Sequence, residues 1–344
     1  MPLVVPSTSE ASGLATYIMR MSRIPELQAT YVVREESELH ELLPDDARVV
    51  FTDGSTQDLA RVIDANAKLH EGVQTHGARA LLAARKARVS SSGLGHVFHE
   101  FPWGTRGRGW AELGFSARVL RAANSDRAAR IPRRLGLRCF SVLPPILEKP
   151  DTLPCEEARE KLGLPRSRLQ IGVVGRLSPA KEPILAAEAF AKLSPSIRDK
   201  SDLVFIGEGP LRSDLETASL QPTVSLNLLG HIPDAATLVR AFDVLMVPSR
   251  HETFGLSMAE ALLADVPVAA TRSPGSELLQ RAGAALDLAE PDPVDLARII
   301  EGALTKPQVQ GERLLETFGL TALTPAYMEY FEELARRSGR SVQA

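Results

Sequence analysis

The fold of this 344-residue chain is decided by residues 244–261, which read VLMVPSRHETFGLSMAEA. The stretch begins with an apolar run over 244–247, which is typical of a buried strand. A polar segment then leads to Gly255 and into a helical pattern. Open α/β sheets present ligands at the carboxyl ends of their strands, where a loop enters a helix. The stretch therefore predicts a ligand site of this kind.

Two carboxylates, Glu252 and Glu260, lie on either side of Gly255. At a rise of ~1.5 Å per residue, the two are on the order of 8 Å apart along a helix that starts near Gly255. The unpaired N–H groups at such a helix start favour an anion, and the carboxylates accept hydrogen bonds from hydroxyls. A phosphate beside a polyol fits both, although an isolated pair of this spacing also fits a helix cap and a solvated helix residue.

A second element that can bind an anion lies upstream. Residues 169–175 read as a buried strand, which leads into a loop with Arg176 and Lys181 and then into a helical pattern over 184–193. Arg can bind two phosphate oxygens at once, and Lys supplies a point charge. Such a pair can offset the charge of a leaving diphosphate. Because these cations and a helix start can stabilise the diphosphate, and no persuasive Asp-x-Asp set is present, we predict no catalytic metal and no cofactor.

These motifs carry a resemblance that covers roughly residues 168–280. In this region the chain resembles the carboxyl-terminal half of family 4 retaining glycosyltransferases of the GT-B fold. The matching segments, in order, are Gly175-Arg176-Leu177 with Lys181, Phe205-Ile206-Gly207-Glu208-Gly209-Pro210, Leu229-Gly230-His231, Pro248-Ser249, Glu252 to Glu260, Val266-Pro267-Val268 and Gly275-Ser276-Glu277. The amino-terminal half matches less well, since only Ser12-Gly13 follows the first apolar run.

The resemblance implies an α/β protein of GT-B architecture, in which two Rossmann-like doubly wound parallel-sheet domains face a cleft. Strands alternating with helical patterns agree with this architecture. The predicted organisation is an acceptor-binding domain over 1–145, a linker and start of the second domain over 146–168, a donor domain over 169–322, and a helix over 323–344 that returns to the first domain. The predicted strands of the first domain are 3–5, 30–33, 49–52, 72–75, 95–98, 121–124 and 139–143. Those of the second domain begin at residue 171 and continue at 203–206, 224–228, 244–247, 266–270 and 284–286.

The implied activity is transfer of a hexose-type or N-acetylhexosamine-type sugar, with retention, from a nucleoside-diphosphate sugar. Uridine is the expected base, and the receiving group is a hydroxyl of an unidentified small-molecule, lipid or glycan acceptor. The resemblance assigns catalytic roles to His99, Glu252, Arg176 and Lys181. It assigns donor binding to Gly13, Gly175, Arg176, Lys181, Gly207, His231, Ile232, Glu252, Phe254, Gly255, Leu256 and Glu260. His76, which also ends a predicted strand, has a weaker claim to a role.

Two alternative functions fit the same architecture. A sugar-nucleotide epimerase would use an acid/base set and no acceptor, and the Arg-Lys pair with two spaced glutamates argues against it. A non-catalytic sugar-nucleotide-binding protein would keep Glu260, Arg176 and Lys181 but would not need His99. The presence of His99 favours an enzyme.

The composition limits the expected partners and cellular location of the protein. A net charge of -3 argues against nucleic acid as a partner. Cys139 and Cys155 are too few for a zinc cage or a disulfide framework, so a reducing cytosol is expected. No apolar run approaches the ~18 to 20 residues of a membrane span, and the first residues lack a secretion signal. We therefore predict a cytoplasmic protein, and its oligomeric state stays open.

An arginine-rich stretch over 106–138 stands out in the first half. Residues 101–140 hold nine arginines against Glu112 and Asp126. Such a surface can attract a phosphorylated acceptor or the anionic face of a membrane, and a solvated helix face is the alternative. Glycines at 104, 107, 109 and 114 predict that the first part of the stretch is a mobile loop over the cleft and an acceptor lid.

Overall fold

The computed structural model describes residues 1–6, 13–99, 106–219, 225–307 and 309–339. The chain divides into two compact units. The first comprises Met1–Ile146 and Leu320–Ala344, and the second comprises Leu147–Gly319. Each unit is built around its own parallel sheet, as strands that alternate with helices require.

The described part of the first unit holds a seven-stranded parallel sheet in the order β3-β2-β1-β4-β5-β6-β7. Its strands are β1 (Leu3–Pro6), β2 (Thr30–Val33), β3 (Arg48–Phe51), β4 (Val73–His76), β5 (Leu94–Phe98), β6 (Leu120–Ala123) and β7 (Ser141–Val142). The helices between them are α1 (Gly13–Ser22), α2 (Glu38–Leu42), α3 (Thr56–Asn66), α4 (Ala78–Lys86), α5 (Arg106–Phe115) and α6 (Asp126–Arg134). Apolar side chains of strands and helices share one core, which includes Leu3, Val32, Ile63, Leu81 and Leu94.

The described part of the second unit holds a six-stranded parallel sheet in the order β10-β9-β8-β11-β12-β13. Its strands are β8 (Leu169–Val174), β9 (Ser201–Ile206), β10 (Leu226–Leu228), β11 (Val244–Val247), β12 (Val268–Thr271) and β13 (Asp287–Ala289). Its helices are α7 (Cys155–Lys161), α8 (Pro183–Lys192), α9 (Pro195–Arg198), α10 (Arg212–Ser219), α11 (Leu256–Leu263), α12 (Pro274–Arg281), α13 (Pro293–Thr305) and α14 (Arg313–Phe318). The core includes Ile171, Phe190, Phe205, Val244 and Met246.

Both sheets reverse their strand order once. In the first sheet the reversal lies between β1 and β4, and in the second it lies between β8 and β11. The loops that leave these strand pairs at their carboxyl ends turn to opposite faces of the sheet, which leaves a crevice for a ligand. Strand order therefore selects two loop pairs, one in each unit, as places where a ligand can bind.

The last helix, α15 (Leu320–Ser338), belongs to the first unit. The Tyr327 hydroxyl on this helix donates to the carbonyl of Pro144 at 2.7 Å. Two glycines of the first unit make room for the helix. A Cβ added to Gly95 would lie 2.4 Å from the Tyr330 hydroxyl, and one added to Gly72 would lie 2.6 Å from Leu334 Cγ. Any side chain at either position would push the helix away.

One predicted strand was placed wrongly. The last strand of the second unit is Asp287–Ala289 and not 284–286. Ala284 and Leu286 are buried, which produced the apolar pattern, but pairing with β12 begins only where Ala269 faces Asp287. The apolar residues belong to the turn after α12, where Gly283 has a φ of 95°. Burial and backbone pairing are thus separate properties in this segment.

The predicted mobile loop was also wrong in its described part, because residues 106–115 form helix α5. Leu113 packs in a cluster with Phe98 and Ala129. Oε1 of the buried Glu112 lies 2.9 Å from Nε2 of His96. These two anchors hold a helix whose glycines alone would disfavour it. Gly104 lies outside the described residues.

Candidate active site

Two loops meet at the switch point of the second unit, because β8 and β11 are neighbours in the sheet. The loops at their carboxyl ends line an open pocket. Its polar lining includes Gly175, Arg176 and Lys181 from the loop after β8, and Ser249 and Glu252 from the loop after β11. The structure thus brings together three of the four residues predicted to be catalytic.

Lys181 and Glu252 form an ion pair in this pocket, in which Nζ of Lys181 donates to Oε1 of Glu252. The Lys181 side chain is 42% exposed and the Glu252 side chain is 9% exposed. A carboxylate removed from water needs a cation or hydrogen-bond donors to stay charged. Lys181 supplies that cation from the end of a 3₁₀ turn, Pro179–Lys181. An anion could replace Glu252 at the ammonium, and hydroxyl donors could replace Lys181 at the carboxylate.

Arg176 is exposed where it lines the pocket. It forms no ion pair with any of the residues that the structure describes. Its planar guanidinium therefore keeps a fork of N–H donors that matches phosphate oxygens. Lys181, which has an ion-pair partner, and Arg176, which has none in the described part of the chain, thus line the same pocket, and both can bind an anionic ligand.

The loop after β8 is supported from behind by glycines of the loop after β9. A Cβ on Gly207 would lie 2.0 Å from the carbonyl oxygen of Gly175, and one on Gly209 would lie 2.3 Å from that of Leu177. Both glycines have positive φ, 145° and 159°. The Leu177 N–H donates to Glu208 O at 2.9 Å. The predicted donor residue Gly207 thus shapes the backbone that carries Arg176.

Helix α11 begins beside the pocket. Its N-cap is Gly255, in the left-handed conformation at φ 88° and ψ 55°, and no side chain caps the first turn. The first N–H groups, including that of Leu256, can therefore donate to an anion. The Phe254 side chain is buried and packs edge-on against Phe318, with ring centroids 5.1 Å apart. Any contact of Phe254 with a ligand therefore falls to its backbone.

The remaining predicted residues of this unit lie at different distances from the switch point along the sheet. Glu260 is half-buried within α11. His231 and Ile232 follow the edge strand β10, which is separated from β11 by β9 and β8. They do not line the pocket that holds Lys181 and Glu252.

The first unit holds a chain of hydrogen-bonded side chains at the carboxyl ends of β4 and β5. Nδ1 of His76 lies 2.8 Å from Nε2 of His99. The other nitrogen of His76 lies 3.0 Å from Gln74 Oε1, and that of His99 lies 3.3 Å from Asn124 Nδ2. One order of donation fits all three contacts. Asn124 donates to His99, His99 donates to His76, and His76 donates to Gln74.

Both histidines of this chain are neutral near pH 7. Burial, with repulsion from neighbouring histidines, lowers the pKa of His76 well below its ordinary value. Burial, together with His96, lowers the pKa of His99 to about 3. The ring of Tyr17 packs edge-on against His99, with centroids 4.8 Å apart. His99 is thus a fixed, uncharged group whose two nitrogens already have partners.

Gly13 is an exposed residue at the start of α1, close in sequence to β1 at the switch point of the first unit. Ser12 and the other residues that connect it to β1 lie outside the described residues. Its predicted contact with phosphate stays a prediction.

The later part of the arginine-rich stretch forms one face of helix α6. Arg127, Arg130 and Arg134 are exposed and share one side of the helix, opposite the buried Ala128 and Pro132. None of the three forms an ion pair within the described part of the chain. Exposed apolar side chains follow the helix at Leu135 and Phe140.

Sequence reasoning missed Glu182, Arg250, Asn124 and Gln74. Glu182 and Arg250 are ion-paired although they are 68 residues apart, and no local pattern reveals such a contact. Asn124 and Gln74 were visible only as polar residues in predicted strands, and strand order alone brings them to His99 and His76. The position of Pro183 after Glu182 was the one available signal, since it indicates a turn.

Comparison with known proteins finds a family match within the second unit. Residues 155–317 match the model of the family described as glycosyl transferases group 1. The match lies within the second unit and covers less than half of the chain, so it shows what the second unit is similar to. The chain is 30% identical over 245 residues to a D-inositol 3-phosphate glycosyltransferase of Geodermatophilus obscurus, which covers 64% of this chain and 54% of that protein.

A second relative of the chain is the 2-deoxystreptamine glucosyltransferase of Streptomyces kanamyceticus. It is 31% identical over 207 residues, which cover 57% of this chain and 48% of that protein. The chain spans about half the length of these curated relatives.

Solved structures confirm the GT-B fold. HepE of Anabaena, in complex with UDP-glucose, matches with a TM-score of 0.82 at 18% identity and covers 96% of this chain and 99% of that chain. The sucrose-phosphate synthase of Thermosynechococcus elongatus matches with a TM-score of 0.75 at 19% identity, over 97% and 99% of the two chains. At these identities the likeness concerns the fold alone.

Proposed function

We propose that this chain is a retaining glycosyltransferase that moves a hexose from a UDP-sugar to a hydroxyl of an acceptor. The observation that carries the proposal is the pocket at the second switch point, where Arg176 has no described ion-pair partner beside the Lys181–Glu252 pair. Two cations suit a diphosphate, and a buried carboxylate suits the hydroxyls of a sugar. The complexes of HepE with UDP and UDP-glucose support uridine as the base.

Donor binding would exchange the partners of Lys181 and Glu252. Sugar hydroxyls donate to Glu252, and a phosphate oxygen accepts from Lys181. Arg176 and the first N–H groups of α11 bind the remaining diphosphate oxygens, and Glu260 accepts from the ribose hydroxyls. The sugar and the diphosphate thus help each other to bind, because each releases a partner that the other needs.

Transfer would then occur on one face of the sugar. The bond between the anomeric carbon and the phosphate oxygen breaks, and the acceptor oxygen bonds to the same carbon from the same side. The proton of the acceptor hydroxyl passes to the leaving phosphate oxygen, and UDP is released. Arg176, Lys181 and the α11 terminus stabilise the charge that grows on the diphosphate.

No metal is needed in this proposal, since the cations and the helix terminus perform the neutralisation. Among the described residues, no group of three or more His, Cys, Asp or Glu side chains could hold a metal ion. We expect turnover to be unchanged in excess EDTA. Loss of turnover in EDTA, restored by a divalent cation, would refute this part of the proposal.

We assign the acceptor to the first unit. The neutral His99, fixed by His76 and Asn124, would contribute to the orientation of the reacting groups there. The names of both relatives point to a cyclitol as acceptor class, because inositol and 2-deoxystreptamine are each a hydroxylated six-membered carbocycle. A suitable panel is D-inositol 3-phosphate, myo-inositol and 2-deoxystreptamine, with glucose as a ring-oxygen control.

The experiment that tests the activity is release of UDP from UDP-glucose, with and without each acceptor. Release that an acceptor accelerates, with an α-linked product by NMR, supports retaining transfer. Interconversion of the sugar without an acceptor would indicate an epimerase. Tight binding of UDP-glucose without any turnover across the panel would indicate a non-catalytic binding protein.

The arginine face of α6 remains a predicted contact for an anionic partner, and a membrane surface is favoured by the exposed Leu135 and Phe140 that follow it. No described helix is both long enough and apolar enough to cross a bilayer. Binding to vesicles that contain anionic phosphatidylglycerol should fall in the triple variant R127Q/R130Q/R134Q. The charge-matched variant R166Q/R298Q/K306Q in the second unit should bind as the unmodified chain does. Equal binding by both variants would exclude this face.

A further inference from the structure

Glu182 has a backbone conformation that an L-residue other than glycine seldom takes. Its φ and ψ are both 48°, in the left-handed region, and Pro183 follows at once. Glycine would adopt the same conformation without steric cost. A strained residue is retained where its side chain has a role, so the Glu182 carboxylate is the feature to explain.

The carboxylate of Glu182 links the two loops of the pocket. Its Oε2 accepts from the backbone N–H of Arg250 at 2.8 Å, and its Oε1 lies 2.7 Å from Nε of the same residue. The Glu182 side chain is 13% exposed, whereas that of Arg250 is 55% exposed. Glu182, the less exposed of the two residues, therefore belongs to the loop after β8, and it binds the backbone of the loop after β11.

Three successive residues make such links. The Ala180 carbonyl accepts from Ser249 Oγ at 2.6 Å, Lys181 pairs with Glu252, and Glu182 holds Arg250. Lys181 and Glu252 are the side chains that exchange partners when the donor binds. The links made by Ala180 and Glu182, on either side of Lys181, survive this exchange. They must therefore hold the loops in place.

We infer that Glu182 is a positioning residue for donor binding, which keeps Lys181 and Glu252 in register through Arg250. This inference rests on the proposed function, because it gives the pair a donor to bind. It makes Glu182 a determinant of donor affinity without direct contact with the donor.

The test compares E182G and E182Q with a matched control, D265G. Asp265 is also left-handed, with a φ of 62°, and its carboxylate also lies near an arginine, Arg240, at 3.2 Å. It lies in the turn after α11, and it lines no part of the pocket. Each glycine relieves backbone strain, and glutamine keeps the size of the Glu182 side chain, so all three variants should fold and melt close to the unmodified chain.

In E182G we expect the KM for UDP-glucose to rise about tenfold while kcat changes by less than about threefold. Hydrogen exchange in the 248–253 segment should become faster. E182Q keeps an acceptor oxygen for Arg250 and should recover most of the KM, and D265G should change neither quantity. A purely structural role would instead lower the melting temperature without the KM change and the glutamine rescue.

Unchanged KM and unchanged exchange in E182G would overturn the inference. If the unmodified chain binds no nucleotide, the proposed function fails, and the exchange comparison still decides whether Glu182 holds the loop. Exchange at 248–253 in E182G that is as slow as in the unmodified chain would then also reject the link between Glu182 and Arg250. Faster exchange would support this link.

Discussion

The two units use polar side chains in different ways at the carboxyl ends of their strands. At the second switch point, Arg176 and Lys181 are charged and reach solvent, and one buried carboxylate is matched by a cation. At the carboxyl ends of β4 and β5 in the first unit, His76 and His99 are uncharged and bound to amide side chains. Under the proposed function, the second unit would bind the charged diphosphate and the first unit would orient groups without charge.

The largest effect should come from the unpaired cation. Arg176→Ala should lower kcat/KM by about 10²- to 10³-fold, with most of the loss in kcat, because charge grows on the diphosphate in the transition state. Steady-state kinetics with UDP-glucose and an accepted cyclitol measure this effect. Arg298→Ala, which removes an exposed arginine of α13, is the control and should keep full activity. Equal activity of the two variants would show that Arg176 does not handle charge.

Loss of the Glu260 carboxylate should rank second. Glu260→Ala should weaken UDP binding by about 1.5 to 3 kcal/mol, because the ribose hydroxyls lose a charged acceptor. Calorimetric titration with UDP measures the change. Asp265→Ala, beyond the end of the same helix, should bind UDP as the unmodified chain does. Unchanged affinity for UDP in Glu260→Ala would show that the ribose does not bind to Glu260.

Glu252→Gln should have a smaller effect, which differs between two ligands. Free UDP should bind about threefold to tenfold more tightly, because Lys181 no longer shares its charge with a carboxylate. UDP-glucose should gain less or bind more weakly, since the sugar loses a charged acceptor. Titrations with both ligands give the ratio of affinities. A ratio equal to that of the unmodified chain would reject the partner exchange.

Stability against pH tests the first unit. The folded chain keeps His76 and His99 neutral, with the pKa of His99 at about 3. Below the ordinary histidine pKa of 6.5, the unfolded chain takes up protons that the folded chain resists. The free energy of unfolding should therefore be fully retained above pH 6.5 and fall towards pH 3, by up to about 1.4 kcal/mol per pH unit for each histidine.

Urea unfolding between pH 7.5 and 5 measures this slope. The double variant H76Q/H99Q should flatten it, whereas Arg176→Ala in the other unit should leave it unchanged. A slope that is the same in all three proteins would mean that the histidine chain is not held neutral by folding.

Much of the fold could be predicted because its strands are short apolar runs between turns. The strands Thr30–Val33 and Val244–Val247 were predicted at their observed bounds. The turn at Asp265 is left-handed, with a φ of 62°, a conformation that aspartate tolerates. These features are local, so the residues themselves specify them.

Features that depend on distant partners could not be predicted. Glu182 meets Arg250 only because β8 and β11 are adjacent, and a sequence does not state strand order. Helix α5 forms among glycines because Glu112 and Leu113 find partners in the rest of the unit. The roles assigned to His231 and Ile232 rest on resemblance, and the pocket at the switch point does not include them.

The most direct test of the central claim is a crystal structure of the chain with UDP-glucose. The account predicts the diphosphate between the loops after β8 and β11, within hydrogen-bond distance of Arg176 and Lys181. It also predicts that Glu252 accepts from the glucose hydroxyls and no longer from Lys181. A nucleotide bound away from these loops, or bound there with the Lys181–Glu252 pair intact, would contradict it.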